Sequence, residues 1–299
     1  MEIVLAYDGS GAARAAIRAA GALAPGASAV VLTVRPEPLD VPAAMIGRFE
    51  ALERAVADEA EATAAEGARA AAGAGLKASA RVEIAGDNPW RAVSRVAEDA
   101  GAALIACGTR GMGAFSRMAI GSTSSGLLHH AGRPVLVVPD GGGELTGPVV
   151  IGYDGSDSSR TAVEAAARLL AGRDLLVVHV WESLIRHSVS GRALAALPLQ
   201  EVRELTGDLD AYFRAVAGDV AEEGAELARS AGADARSRAV ESSGPAWDGL
   251  LAAARTAGAS LVVAGSRGRG GVAAGILGSV SSGLVHEAAM PVLVVPPSE

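Results

Sequence analysis

Residues Gly108 to Ser122 read Gly-Thr-Arg-Gly-Met-Gly-Ala-Phe-Ser-Arg-Met-Ala-Ile-Gly-Ser, directly after the apolar run Ala102-Ala103-Leu104-Ile105-Ala106-Cys107. Glycine where a strand ends lets the chain turn sharply and lets a ligand approach the backbone closely. Gly121-Ser122 stands where the next helix would begin. There the helix dipole and the unpaired N–H groups favour an anion, and a hydroxyl adds a donor. The residue types therefore suit a phosphate cradle at the carboxyl end of a strand. The spacing Gly-x2-Gly-x9-Gly-Ser returns at Gly265, Gly268, Gly278 and Ser279, again after an apolar run, Leu261-Val262-Val263-Ala264. At this chain's glycine and Ser/Thr frequencies, roughly 0.06 chance matches are expected. Two copies after matching strands are therefore hard to obtain by accident.

The elements that would position these cradles repeat as well. Ile3-Val4-Leu5-Ala6-Tyr7-Asp8-Gly9-Ser10 reads as a buried strand ending in a turn, with Ser10 capping an alanine-rich helix to about Ala24. Val30 to Val34 is a second strand, Ala43 to Ala72 a long helix and Ala78 to Ala85 a third strand. Pro89-Trp90 starts a helix to about Ala100. After the cradle come a helix from Ser122 to Ala131 and the strand Val135-Leu136-Val137-Val138. The long helix carries Met45, Phe49, Leu52 and Val56 at helical spacing, which reads as core packing.

Residues 140–148, Asp-Gly-Gly-Gly-Glu-Leu-Thr-Gly-Pro, form a linker by composition, and the plan then starts again. Asp154 follows Asp8 at an offset of 146, whereas Gly265 follows Gly108 at 157, so the second repeat carries 157 − 146 = 11 extra residues. They lie between its second strand, Leu175 to Val180, and its third. The expected domains are 1–140 and 147–299. Strands alternating with helices predict an α/β fold with parallel sheets covered on both faces. Ligands in such sheets sit beyond the carboxyl ends of the strands.

Composition narrows the function classes. Charge is −8 overall, with 13 basic against 16 acidic residues before position 146 and 13 against 18 after it. Neither half is basic, which argues against nucleic acid as the main partner. Cys107 is the single cysteine, which excludes an intrachain disulfide and suits a cytoplasmic protein. It reads as an apolar filler more readily than as a reactive thiol. Met1-Glu2 leads straight into a strand, so no signal peptide is expected, and no apolar run is long enough for membrane insertion. No Gly-x4-Gly-Lys-Ser/Thr loop is present, and the only lysine, Lys77, lies outside any glycine loop.

The opening Tyr-Asp-Gly-Ser, the double cradle and the closing Pro-Val-Leu-Val-Val-Pro resemble the universal stress protein family in its tandem, two-domain form. The resemblance implies two open five-stranded parallel sheets of order 3-2-1-4-5, related by a pseudo-two-fold axis, with ATP bound in each. It implies Asp8 and Asp154 beside the nucleoside, and Val34 and Val180 lining the adenine pocket. Around ribose and phosphates it implies Gly108, Arg110, Gly111, Gly121, Ser122, Thr123 and Ser124, and in the second repeat Gly265, Arg267, Gly268, Gly278, Ser279, Val280 and Ser281. Mg²⁺ is expected as a companion of the phosphates. The residues alone leave other roles open: Asp8 and Asp154 as turn residues, and Arg110, Arg117, Arg267 and Arg269 as solvated charge. His129 and His286, near a helix carboxyl end, suit its dipole better than catalysis. His130, His179 and His187 form no metal-ligand spacing. Trp90 and Trp247 read as packing.

The resemblance further implies that the closing strands of the two halves pair antiparallel, making an intrachain pseudo-dimer, and it is compatible with a homodimer. A nucleotide-responsive regulator of stress adaptation is the expected role, in a high-GC bacterial background suggested by the alanine- and arginine-rich composition. Two readings stand beside it. One is a slow ATP hydrolase or an adenylyl-transfer enzyme on the same kind of sheet, although Ser-Gly-Gly-x-Asp-Ser and His-x-Gly-His are both absent. The other is an interaction scaffold with vestigial sites. The protein partner is not specified by the sequence.

Overall fold

The apolar runs of the sequence become strands buried on both faces. A computed structural model describes residues 1–38, 46–86, 88–111, 120–142, 144–183, 199–268 and 276–297. The first repeat runs β1 (Glu2–Ala6), α1 (Gly11–Leu23), β2 (Ser28–Arg35), α2 (Ile46–Gly73), β3 (Lys77–Ile84), α3 (Pro89–Asp99), β4 (Leu104–Gly108), α4 (Ser122–His130) and β5 (Val135–Val138). The second runs β6 (Val149–Gly152), α5 (Asp157–Leu169), β7 (Leu175–Trp181), α6 (Leu199–Ser230), β8 (Ala235–Glu241), α7 (Ala246–Ala257), β9 (Leu261–Gly265), α8 (Ser279–Glu287) and β10 (Val292–Val295). The fold is α/β, as expected.

Two compact units result. The first holds Met1–Thr146 together with 273–277 and Val285–Pro296, and the second holds 147–272, 278–284 and 297–299. In the first, strand order is β3-β2-β1-β4-β5-β10. All neighbours among β1 to β5 are parallel. β10 pairs antiparallel with β5, Leu293 opposite Leu136 and Val294 opposite Val135. The expected pairing of the closing strands is therefore present, and it places β10 in the first unit although it ends the second repeat. In the second unit β9-β6-β7-β8 are parallel neighbours, repeating the order of β4-β1-β2-β3.

The helices lie on the sheets through small residues. In α2 the buried positions are Ala60, Ala64 and Ala71. Gly67 lies in the same row, where a Cβ would stand 2.6 Å from Tyr7 Cδ1 and 2.7 Å from Val31 Cγ1. In α6 the same face carries Ala217, Ala221, Ala225 and Ala228, with Gly224 against Tyr153 and Val177. A chain with only 3% aromatic residues packs its helices close rather than filling a wide gap with rings. The expected core stripe of α2 differs. Phe49 and Val56 are half-buried and Leu52 is 51% exposed, while Met45 lies outside the described residues. The helix turns its alanine and glycine row to the sheet; Phe49 and Val56 continue that face toward the helix N-terminus, where it is only half covered, and Leu52 lies off it.

Each repeat fastens this long helix to the end of its first strand. Tyr7 Oη donates to Glu66 Oε1 at 2.9 Å, and Arg14 Nη2 reaches the same oxygen at 2.9 Å. Tyr153 Oη donates to Glu223 Oε1 at 3.1 Å, and Arg160 pairs with that oxygen too. Trp90 and Trp247 are packing residues, as expected. Each ring lies directly on a helix glycine, Gly126 and Gly283, whose missing Cβ leaves the room. Trp90 also stacks on His130 at 4.7 Å. No described helix is long and apolar enough to cross a membrane.

Candidate functional site

In the first unit, the carboxyl ends of β1, β2 and β4 surround a cavity of about 610 Å³. β1 sits between β2 and β4, the point in such sheets where ligands are held. All nine first-repeat residues expected at a site line it: Asp8, Val34, Gly108, Arg110, Gly111, Gly121, Ser122, Thr123 and Ser124. One side is apolar, formed by Ala13, Leu32, Val34, Pro89 and Val93. The other is built from the glycine loop, the start of α4 and Arg110.

Local structure explains each placement. Asp8 Oδ1 accepts the Ser10 N–H at 3.0 Å, which shapes the turn after β1, and Ser10 Oγ caps α1 through the Ala13 N–H at 3.1 Å. The turn role is therefore real for this aspartate. Its other oxygen, Oδ2, faces the cradle so closely that any Cβ on Gly111 would overlap it. Gly108 is constrained from the opposite side, where a Cβ would stand 2.7 Å from Ala12 Cβ. Ser10 Oγ is also within 3.4 Å of the Arg110 carbonyl, tying the turn after β1 to the loop after β4.

Two cradle groups are committed to the protein itself. The Gly121 N–H donates to the Thr109 carbonyl at 2.8 Å and closes the base of the loop. Ser124 Oγ, buried, donates to the Gly108 carbonyl at 2.6 Å. The donors that remain at the helix start are the first-turn N–H groups, which no helix satisfies internally, and the hydroxyls of Ser122 and Thr123. Ser124 therefore braces the end of β4 from beneath the cradle. Residues 112–119, and with them Arg117, lie outside the described residues, as do Arg269 and His187.

Cys107 lines the cavity floor at 3% exposure, and burial pushes its thiol up to about 12. It is a protonated apolar wall. Ala6, Tyr7, Ala13, Leu32, Pro89, Val93 and Ile120 complete the lining and were not singled out from the sequence. Position just past a strand end would have flagged Tyr7. The others are ordinary apolar residues with no distinguishing spacing. His129, with His130, and His286 stand in the last turns of α4 and α8, the placement a helix dipole favours.

The second unit carries the corresponding arrangement in reduced form. Asp154 Oδ1 accepts from the Ser156 N–H at 3.0 Å and from Ser156 Oγ at 2.5 Å. A Cβ on Gly268 would stand 3.3 Å from Asp154 Oδ2. Asp154, Val180, Gly265, Arg267, Gly268 and Val280 line a cavity of about 80 Å³. Gly278, Ser279 and Ser281 do not line it. Gly278 and Ser281 are buried, and Ser281 Oγ bonds to the Ser266 and Gly278 carbonyls at 3.2 and 3.1 Å. His179 and Leu250 do line it, and neither was expected from the sequence. Among the described residues no group of three or more His, Cys, Asp or Glu could hold a metal ion.

Comparison with known proteins agrees with the repeat. A profile described as the Universal stress protein family matches residues 1–139 and again 146–296. The chain is 35% identical over 214 residues to a universal stress protein of Mycolicibacterium smegmatis, a match covering 66% of this chain and 62% of that one. It is 34% identical over 233 residues to a universal stress protein of Mycobacterium tuberculosis, covering 73% and 69%. Among solved structures it resembles a universal stress protein from Archaeoglobus fulgidus, with a TM-score of 0.66 over 99% of this chain and 98% of that one at 24% identity.

Proposed function

Because the chain belongs to the universal stress protein family, we propose that it binds ATP in the first-repeat cavity and acts in the cytoplasm as a nucleotide-responsive regulator of stress adaptation. The observation that carries this reading is a cavity of about 610 Å³ lined by all nine first-repeat residues that the resemblance implies. Its volume falls within the range of roughly 300–1,000 Å³ typical of small-molecule sites.

The residues present fit an adenine nucleotide. Leu32, Val34, Pro89 and Val93 offer an apolar slot for a base. Asp8, at the end of β1, is placed to accept from ribose hydroxyls. Gly111 leaves the backbone bare where phosphates would pass. The N-terminus of α4 and the Arg110 guanidinium supply positive potential for them. Mg²⁺ would come with the phosphates as their counter-ion, held mainly by nucleotide oxygens. The nucleotide-bound surface around the start of α4 is what a partner would read. Turnover, if measured with labelled ATP, is expected to be slow, in keeping with a site that holds rather than transforms its ligand.

The test has two parts. Protein purified gently and then denatured should release ATP detectable by mass spectrometry, and calorimetry should show ATP binding to the stripped protein. Gly111→Val puts a side chain into Asp8 Oδ2 and the phosphate path, so it should weaken binding at least tenfold, about 1.4 kcal/mol. No released nucleotide and no heat at millimolar ATP would instead support the scaffold reading. Undiminished affinity in the folded variant would remove the site assignment.

A further inference from the structure

The two repeats keep the cradle's glycine spacing but differ at both its phosphate end and its nucleoside end. About 80 Å³ remains in the second unit against about 610 Å³ in the first. Three substitutions stand at the nucleoside end of the smaller cavity. Ala92 of α3 becomes Gly249 of α7, and a Cβ at Gly249 would stand 2.7 Å from Val180 Cγ1. The helix thus approaches the end of β7 more closely than an alanine would permit. Val93 becomes Leu250, whose Cδ1 lies 2.8 Å from the Cβ position of Gly152, where the first repeat has Ala6. The larger side chain fills the space over β6.

The third change is Thr33 to His179. Each side chain holds the carbonyl of the tyrosine that follows the repeat's first strand, Thr33 Oγ1 on Tyr7 at 3.0 Å and His179 Nδ1 on Tyr153 at 2.8 Å. Thr33 does this from a buried position, 7% exposed, and does not reach the first cavity. The imidazole is larger and lines the second. At the phosphate end, Thr123 is replaced by Val280, which removes a hydroxyl.

We propose that Leu250 and His179 close the second site to the nucleoside, so that the chain binds one adenine nucleotide, in its first repeat, and not two. This rests on reading the first cavity as the nucleotide site. Equilibrium dialysis of the full chain with labelled ATP should give a stoichiometry of one. Leu250→Val with His179→Thr, both reductions in size, should raise it to two. Photolabelling of the unmodified chain with 8-azido-ATP provides a measurement independent of any variant. Labelled peptides should come only from residues 1–139. Two equivalents, or label in both repeats, in the unmodified chain would overturn the proposal while leaving the first site intact. One equivalent in a folded double variant would also overturn it, because these side chains would then not be what closes the site. No binding at all would remove the nucleotide reading itself, and this inference with it.

Discussion

Tyr153 directly follows β6, with its ring buried and its hydroxyl on Glu223, and burial, reinforced by that bond, pushes its ionisation up from 10.0 to about 12. Tyr7 is shifted in the same direction, by burial first and then by Glu66. The fold therefore favours the neutral phenol. A raised folded value means that the stabilisation is fully present below the unfolded value of 10.0 and is lost as pH rises toward about 12. Urea unfolding midpoints should decline across that window, and Tyr153→Phe, which cannot ionise, should decline less. An identical decline in the variant would show that other groups govern alkaline stability. The same residue also acts on the site, because its carbonyl is the acceptor for His179 and it directly precedes Asp154.

At the scale of elements, the glycine row of the long helices sets how close they come to the sheet. Gly67→Val must displace the Tyr7 ring and Val31, and is expected to cost about 1–3 kcal/mol of stability, read as a lower denaturant midpoint with an unchanged slope. A neutral result would mean that α2 can lift from the sheet freely. This contact was not legible in the sequence. α2 is rich in alanine along its whole length, so the buried row at 60, 64, 67 and 71 has no contrast with its neighbours, while Phe49, Leu52 and Val56 advertise a stripe the structure leaves partly exposed. The cradle was legible for the opposite reason. Gly108 and Gly111 each face an atom that forbids a side chain, and such positions leave a fixed pattern of glycines. What separates the two cavities was not legible, since exchanging Val93 for Leu250 keeps apolar character and changes only volume.

At the scale of the whole molecule, the antiparallel pairing of β5 with β10 ties the first compact unit to residues far along the chain. β5 is buried along its full length, Val135 to Val138, and presents an apolar edge that would otherwise be a template for other strands. Val294→Pro removes a backbone N–H from β10 at the position paired with Val135 and should destabilise the first unit, although the substitution lies in the second repeat. Hydrogen exchange localised to β4 and β5 would report it, and unchanged protection there would contradict the pairing. The sequence did announce this strand, through the duplicated Pro-Val-Leu-Val-Val-Pro. It did not announce that compactness would group β10 with the first repeat. One consequence concerns biosynthesis. Val292 leaves the ribosome 292 − 138 = 154 residues after Val138, an interval of about 8–30 s at ordinary elongation rates. Throughout that time the nascent first repeat carries an uncovered Val-Leu-Val-Val border, so its protection in the cell falls to chaperones until translation delivers the strand that caps it.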